Sequence, residues 1–299
     1  PNAFTELLRA RDVGAFERRY AFDIRPVDDD RPFFFYSVQA RDVWAFLEHF
    51  LRSKEPASSR ADFTVNMAVP VMFGLMALSL LATSLILILP PLLLRARLPR
   101  EKSVVGFLLF FACIGAGYIL IEIALIQKFV LFLGHPTYAL TVIIFSMLMA
   151  SGLGSFFSRR VVGLSEERLR AALAVVALAV ALLSLVVGPL TQAGVGWAPW
   201  LKVVLAVLVI APPAFFMGMP LPTGLGMLEL RRKPAVKWAW AVNAAASVLG
   251  SVSAVFLAIH AGFRNTLLVG GAFYILAILF VGGRRTNLPA RPASALIET

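Results

Sequence analysis

The chain has 299 residues, of which 59% are hydrophobic and 15% charged, whereas soluble domains are about a quarter charged. Its formal net charge of +11 does not indicate nucleic-acid binding, because most Lys and Arg after residue 66 lie in short loops between apolar runs. Since each run is long enough to cross a bilayer core, the sequence predicts a polytopic membrane protein embedded in lipid and excludes a single water-soluble domain.

Residues 1–60 differ from the rest, because residues 1–66 hold 11 of the 17 acidic residues. Amphipathic helix-like patterns occupy 4–20 and 40–52, and the aromatic run RPFFFYSV at 31–38 reads as a strand. VDDD at 27–30 reads as a turn. The pattern predicts a small mixed α/β soluble tail of a larger domain. The polar stretch SKEPASSR then leads through a linker at 61–66 to the membrane part.

The segment 67–283 is predicted to be an all-α membrane helical bundle, followed by a polar C-terminal tail at 284–299. Hinges are expected at Pro90-Pro91, at Gly134 to Pro136 and between 194 and 199. The seven apolar runs are 67–94, 104–127, 137–157, 170–190, 200–222, 238–260 and 264–282.

The charges of the loops alternate along the chain. Loops after the odd-numbered runs carry 15 Lys and Arg, against 3 after the even-numbered runs. The positive-inside rule then predicts a cytoplasmic C-terminus in a bacterial inner membrane. Seven crossings place residues 1–66 outside. The side of the membrane on which residues 1–66 lie is nevertheless left open. A long domain contributes little to the positive-inside rule, and the proline-bounded first run need not cross the membrane fully.

Glu122 is the one acid after residue 66 that lies deep in an apolar run. An ionised carboxylate there costs a few kcal/mol, so it needs a partner or a proton. Tyr118 lies one turn earlier on the same helical face. We expect Glu122 to face the bundle interior near Asn243, Tyr138 or backbone freed by a helix break. A proton or cation site and a structural hydrogen bond both fit this pattern.

Two further polar positions are candidates. His135 lies between Gly134 and Pro136, which indicates a loop hydrogen bond or, together with Glu122, a pH-sensitive role. Asn243 begins a four-residue stripe that continues with Ser247 and Ser251. Small residues at this spacing favour close helix packing. Asn243 is alternatively a partner of Glu122 or part of a polar path.

Four prolines, Pro212, Pro213, Pro220 and Pro222, fall in a single run and predict a helix break. Backbone groups freed in lipid need partners from protein or water. Interrupted helices often build transporter sites. A helix that ends near Met219 in a short interfacial loop is the other interpretation.

Nothing in the sequence predicts a metal site or a cofactor site in this chain. Cys113 is the only cysteine. The glycine clusters at 115–117 and 152–154 lie inside membrane runs rather than between a strand and a helix, which a nucleotide-binding turn requires. They are instead expected to allow close helix contact. The acids at 28–30 indicate a capping turn or, alternatively, a cation site.

The chain resembles the C-terminal part of the bacterial spermidine synthase-like polytopic membrane proteins. The shared motifs are DDDRPFFF at 28–35, IEIALIQKFVLFLGHPTYAL at 121–140, SGLGS at 151–155, GMPLPTG at 218–224 and WAVNAAASVLGSVSAVF at 240–256. In that family, an aminopropyltransferase- or methyltransferase-like Rossmann domain lies between two sets of membrane helices. The resemblance implies that residues 1–60 are the tail of this Rossmann-like domain.

The resemblance implies a membrane anchor or substrate-handling module of an S-adenosyl-dependent transferase. S-adenosylmethionine, or its decarboxylated form, would bind upstream, where the catalytic acids would also lie. The partners would be the upstream domain and its membrane helices, and an oligomer is compatible with this arrangement. A transporter or channel-like module that uses Glu122 and the broken run is the alternative. A non-catalytic subunit of a membrane complex is a third possibility.

Overall fold

The structure is a computed structural model that describes residues 3–20, 22–33, 36, 38–39, 41–52, 68–93 and 102–281. The predicted linker at 61–66 and the polar tail at 284–299 lie outside the described residues.

Three short helices precede a bundle of long ones, and a 3-10 turn at Lys233–Ala235 joins two of them. In chain order, the helices are α1 Ala3–Arg9, α2 Val13–Arg19, α3 Val43–Arg52, α4 Ala68–Leu93, α5 Lys102–Leu133, α6 Pro136–Val161, α7 Glu166–Ala193, α8 Pro199–Met217, α9 Pro220–Arg232, α10 Val236–Ala261 and α11 Phe263–Phe280.

Among the residues that the structure describes, five helical segments are long and apolar enough to cross a membrane. They are Val104–Leu133, Pro136–Val161, Glu166–Ala193, Pro199–Ala261 and Phe263–Phe280. The apolar part of α4, Val69–Leu85, is shorter. This confirms the membrane bundle, while the count of seven runs stays a prediction. The hinge expected at Pro90-Pro91 falls in the last turn of α4, whose backbone stays helical to Leu93.

Phe33 and Tyr36 of the aromatic segment pack on helix ends. The described residues of 31–38 form no strand, and the nearest pairing is an isolated bridge between Asp28 and Arg31. Phe33 contacts Phe263 at 5.5 Å between ring centroids, and Tyr36 contacts the ring of His260 at 5.1 Å. Burial of these rings against α10 and α11 explains the apolar pattern without a sheet.

Side-chain contacts define the two ends of the bundle. At one end, Lys202 lies 5.3 Å from the ring centroid of Phe132, where α5 ends and α8 begins. We call this the aspartate end, because Asp28, Asp29 and Asp30 dock there beside Lys128. Aromatic side chains that favour membrane interfaces are exposed around it: Tyr138, Trp197 and Trp200.

The opposite end of the bundle is the basic end. Arg231 pairs with Glu166 there, and Arg170 donates to the Val281 carbonyl. The ends of α6, α9 and α11 therefore meet the start of α7 at this end. The Lys and Arg of the described residues at this end include Arg159, Arg160, Arg168, Arg170, Arg231, Arg232, Lys233 and Lys237.

Asp30 caps α11 from a distant part of the chain. Gly262 precedes α11 with φ of 87° and has no side chain that could cap the helix. The Asp30 carbonyl accepts the Phe263 amide at 3.0 Å, and the Asp30 carboxylate accepts the Arg264 amide at 2.9 Å. Lys128, which is 7% exposed, donates to the Asp29 carbonyl at 2.7 Å. These bonds fix the N-terminal segment to the bundle.

A second polar cluster consists of contacts within the same N-terminal segment. Asp23 pairs with Arg25 at 2.5 Å and with Arg31 at 3.4 Å. The hydrogen bond from Arg25 holds the pKa of Asp23 below its usual value. Asp28 accepts the backbone amides of Asp30 and Arg31. The acids at 28–30 therefore accept backbone amides, as the interpretation as a capping turn predicted.

Glycine brings the backbones of α5, α10 and α11 together. A Cβ at Gly115 would lie 2.6 Å from the Asn243 carbonyl, and one at Gly117 would lie 3.0 Å from the Gly270 carbonyl. The predicted role in close helix contact is confirmed for Gly115, Gly117 and Gly154. It is wrong for Gly152, which faces open space.

Candidate functional site

The helix interruption lies at two residues, Gly218 and Met219, between α8 and α9. Pro212 and Pro213 lie inside α8, so the break predicted over 212–222 is narrower than its four prolines suggested. Pro220 and Pro222 lie in the first turn of α9, where a missing N–H is tolerated. α8 ends close to Met219, as the other interpretation predicted, but only two residues separate it from α9.

Backbone contact between α6 and α8 fixes the position of the interruption. A Cβ at Gly154 would lie 1.8 Å from the Phe215 carbonyl oxygen. A Cβ at Gly218 would lie 1.9 Å from the Ser151 carbonyl oxygen. Only glycine permits this approach at either position, because real Cβ atoms do not come so close to another atom.

A cavity of about 290 Å³ opens beside the interruption, and we call it the intramembrane cavity. Six helices, α5, α6, α8, α9, α10 and α11, contribute to its wall. Its polar side chains are Tyr118, Ser151, Ser155, Asn243, Ser247 and Tyr274, while Gly218 and Pro222 line the side of the break. The sequence therefore folds to place hydroxyl and amide groups inside an otherwise apolar bundle.

Several of these groups are already paired with protein atoms. The hydroxyls of Tyr118 and Ser151 lie 3.3 Å apart. Asn243 donates its amide to the Phe111 carbonyl at 3.0 Å, and Ser247 donates to the Gly115 carbonyl at 3.2 Å. The Asn243 stripe is therefore a packing seam between α10 and α5, as one interpretation predicted. Asn243 and Ser247 also line the cavity.

The interruption also alters the backbone acceptors at the cavity wall. Pro222 has no N–H, so it cannot donate the helical hydrogen bond to the Gly218 carbonyl. Pro220 likewise cannot donate to the Phe216 carbonyl, which accepts the Met219 amide at 3.2 Å instead. Gly218 and Met219 keep helical dihedral angles, so the interruption changes the hydrogen bonding and not the path of the backbone. The Gly218 carbonyl is thus a further hydrogen-bond acceptor in the cavity wall, beside the polar side chains.

Glu122 lies outside this cavity. Its side chain is half-buried, and within the described part of the chain it has no hydrogen bond or ion pair, only an electrostatic interaction with Tyr118. The predicted hydrogen bonds to Asn243 and Tyr138 are not formed, since Asn243 bonds to Phe111 and Tyr138 is 64% exposed. Asn243 meets α5 at Phe111 and Gly115, and Gly115 lies seven residues, about two turns, before Glu122. The two side chains are therefore separated along the axis of α5.

His135 is a helix cap at the aspartate end. Its Nδ1 accepts the Thr137 amide at 3.2 Å, and its ring lies 6.1 Å from that of Tyr138. This is the loop hydrogen bond that one interpretation predicted. Neither His135 nor Tyr138 lines the intramembrane cavity, so the structure does not bring them to Asn243 or Tyr118.

Sequence reasoning missed three residues of the site. Ser151 and Ser155 are four positions apart on α6, a helical spacing that was visible in SGLGS but was used only as a family motif. Tyr274 is 1% exposed and its ring packs against Gly117, where a Cβ would lie 3.0 Å from the ring. A lone Tyr in an apolar run gives no signal of its own.

Comparison with known protein families, curated proteins and solved structures finds no match to this chain. Among the described residues, no group of His, Cys, Asp and Glu side chains could hold a metal ion. Fold and site together define a class: an integral membrane helical bundle with an interrupted helix beside a polar cavity.

Proposed function

We propose that this chain is a membrane-embedded substrate-handling module whose intramembrane cavity binds a small amine-bearing solute. The observation that supports this most strongly is the interruption at Gly218–Met219 beside a polar cavity within apolar helices. Interrupted membrane helices form binding sites in many transporters, because they present backbone groups that an intact helix conceals.

The chemistry of the cavity wall favours an amine. Tyr118 and Tyr274 present aromatic rings, which attract cations through their π faces. The Gly218 carbonyl and the serine hydroxyls are hydrogen-bond acceptors for an ammonium group. No Lys or Arg lines this cavity.

The wider setting of this function comes from the sequence resemblance. We propose that the module belongs to a spermidine synthase-like protein of the bacterial inner membrane, with S-adenosyl cofactor binding and transfer chemistry upstream. The docking of Asp29 and Asp30 on the aspartate end supports a tight link between a soluble domain and the bundle. The basic end would face the cytoplasm, as the positive-inside rule predicts.

Spermidine binding to the full chain in nanodiscs tests this function. Tyr118→Phe removes the hydroxyl paired with Ser151, and we expect it to weaken saturable spermidine binding about fivefold, since one hydrogen bond contributes about 1 kcal/mol. Tyr138→Phe is the matched control, because its exposed hydroxyl lies outside the cavity and binding should not change.

Radiolabelled spermidine in a scintillation proximity assay supplies the measurement. Folded protein that shows no saturable binding would reject the amine site and leave a non-catalytic membrane subunit as the better account. Equal loss of affinity in the Tyr118 and Tyr138 variants would place the spermidine site elsewhere.

A further inference from the structure

A second cavity, of about 510 Å³, opens toward the basic end, and we call it the basic-end cavity. It lies between the last turns of α6 and the start of α9. Its wall includes Ser158, Arg159, Leu164, Thr223 and Glu229. It therefore has polar and charged groups of both signs at the place where the membrane helices meet water.

The two cavities are separated by a single helical turn. Pro222 lines both of them. On α6, Ser155 lines the intramembrane cavity, and Ser158, one turn further along the same helix, lines the basic-end cavity. The first turn of α9 is thus the divider between two polar spaces that follow one another along α6.

Thr223 lies in this divider with an unsatisfied hydroxyl. The residue is 3% exposed, and its Oγ1 has no hydrogen-bond partner. Other hydroxyls in the bundle bond to carbonyls of the preceding turn, as Thr141, Thr191 and Thr266 do. A buried hydroxyl without a partner carries a desolvation cost that no hydrogen bond offsets. An arrangement in which Thr223 meets water or solute would remove this cost.

The divider lacks backbone donors and a side-chain cap at its start. Pro220 and Pro222 remove two backbone donors, and Met219 gives α9 no side-chain cap. Gly218 is held by backbone contact with Ser151, so the fixed point lies on the α8 side of the interruption. Motion of the first turn of α9 about Gly218 and Met219 would join the two cavities.

We propose that the basic-end cavity is a second binding position for the same solute. The first turn of α9 separates the two positions, and the solute reaches the intramembrane cavity from the basic end. This proposal rests on the proposed function for the identity of the solute, but the route itself can be tested without any solute.

Cysteine labelling in oriented vesicles tests the route. In a Cys113→Ala background, Ser155→Cys reports on the intramembrane cavity and Arg159→Cys on the basic-end cavity. A membrane-impermeant thiol reagent should modify both cysteines from the basic side, with position 155 reacting more slowly. From the aspartate side, neither position should react. Arg159 is exposed, so its cysteine also confirms the orientation of the vesicles.

Pro222→Ala tests whether the divider controls access to position 155. Alanine restores an amide that can donate to the Gly218 carbonyl, so the first turn becomes part of a continuous hydrogen-bonded helix. We expect modification at position 155 to slow about tenfold, while position 159 keeps its rate.

Modification of position 155 from the aspartate side would overturn the route, and so would an unchanged rate at position 155 in Pro222→Ala. The sidedness result needs no substitution in α9, so it decides the question whatever the stability of the Pro222 variant. Basic-side modification in a protein that binds no spermidine would uphold the route and reject only the proposed solute.

Discussion

Gly154→Ala is expected to destabilise the bundle by about 3 kcal/mol, the upper part of the range for overpacking in a protein interior. The added Cβ would lie 1.8 Å from the Phe215 carbonyl oxygen, and that atom belongs to backbone that cannot rotate away as a side chain does. α6 and α8 must therefore separate, and this separation also changes the wall of the intramembrane cavity.

Gly152→Ala is the matched control, because Gly152 lies two residues away on the same helix and faces open space. It should leave stability equal or raise it by up to about 1 kcal/mol, since alanine favours a helix over glycine. Thermal unfolding of both variants in detergent is the measurement. Equal stability of the two variants would show that α6 and α8 do not meet through Gly154.

Asp30→Ala is expected to release the N-terminal segment from the aspartate end. The change removes the carboxylate that caps α11 at the Arg264 amide, and a lost cap costs about 1 to 2 kcal/mol. It also removes the carboxylate that lies 4.0 Å from the buried Lys128 ammonium group. The combined loss favours undocking of Phe33 and Tyr36.

Chymotrypsin cleavage after Phe33 or Tyr36 measures this undocking in the intact protein. A loss of about 1.4 kcal/mol corresponds to tenfold faster cleavage when opening precedes cutting. Asp42→Ala is the control, because Asp42 pairs only with its exposed neighbour Arg41. Cleavage of the Asp30 variant at the rate of the control would show that the segment is held by its aromatic contacts alone.

The membrane helices were predictable because length and hydropathy depend on local sequence alone. Proline and glycine likewise marked the break between α8 and α9 within a few residues. Its width was overestimated, because Pro212 and Pro213 lie inside α8 and Pro220 lies at a helix start. A proline removes one donor and fixes one dihedral, and the surrounding packing decides whether the helix also ends.

The partners of polar residues were less predictable than the helices that carry them. Glu122 and Asn243 are both on long helices, yet whether they meet depends on how far α10 is shifted along α5. That shift is set by close contacts such as Gly115 against the Asn243 backbone. The described residues of 31–38 differ from the predicted strand for a related reason. The rings of Phe33 and Tyr36 contact the ends of α10 and α11, and no local pattern indicates these contacts.

Protection of position 155 by spermidine tests the central claim most directly. In the Cys113→Ala background, the rate of modification of Ser155→Cys is measured with and without saturating spermidine, and Glu167→Cys on exposed α7 surface serves as the control. The account predicts that spermidine slows modification at position 155 at least about fivefold and leaves position 167 unchanged. Equal rates at position 155 with and without spermidine would contradict binding of an amine in the intramembrane cavity.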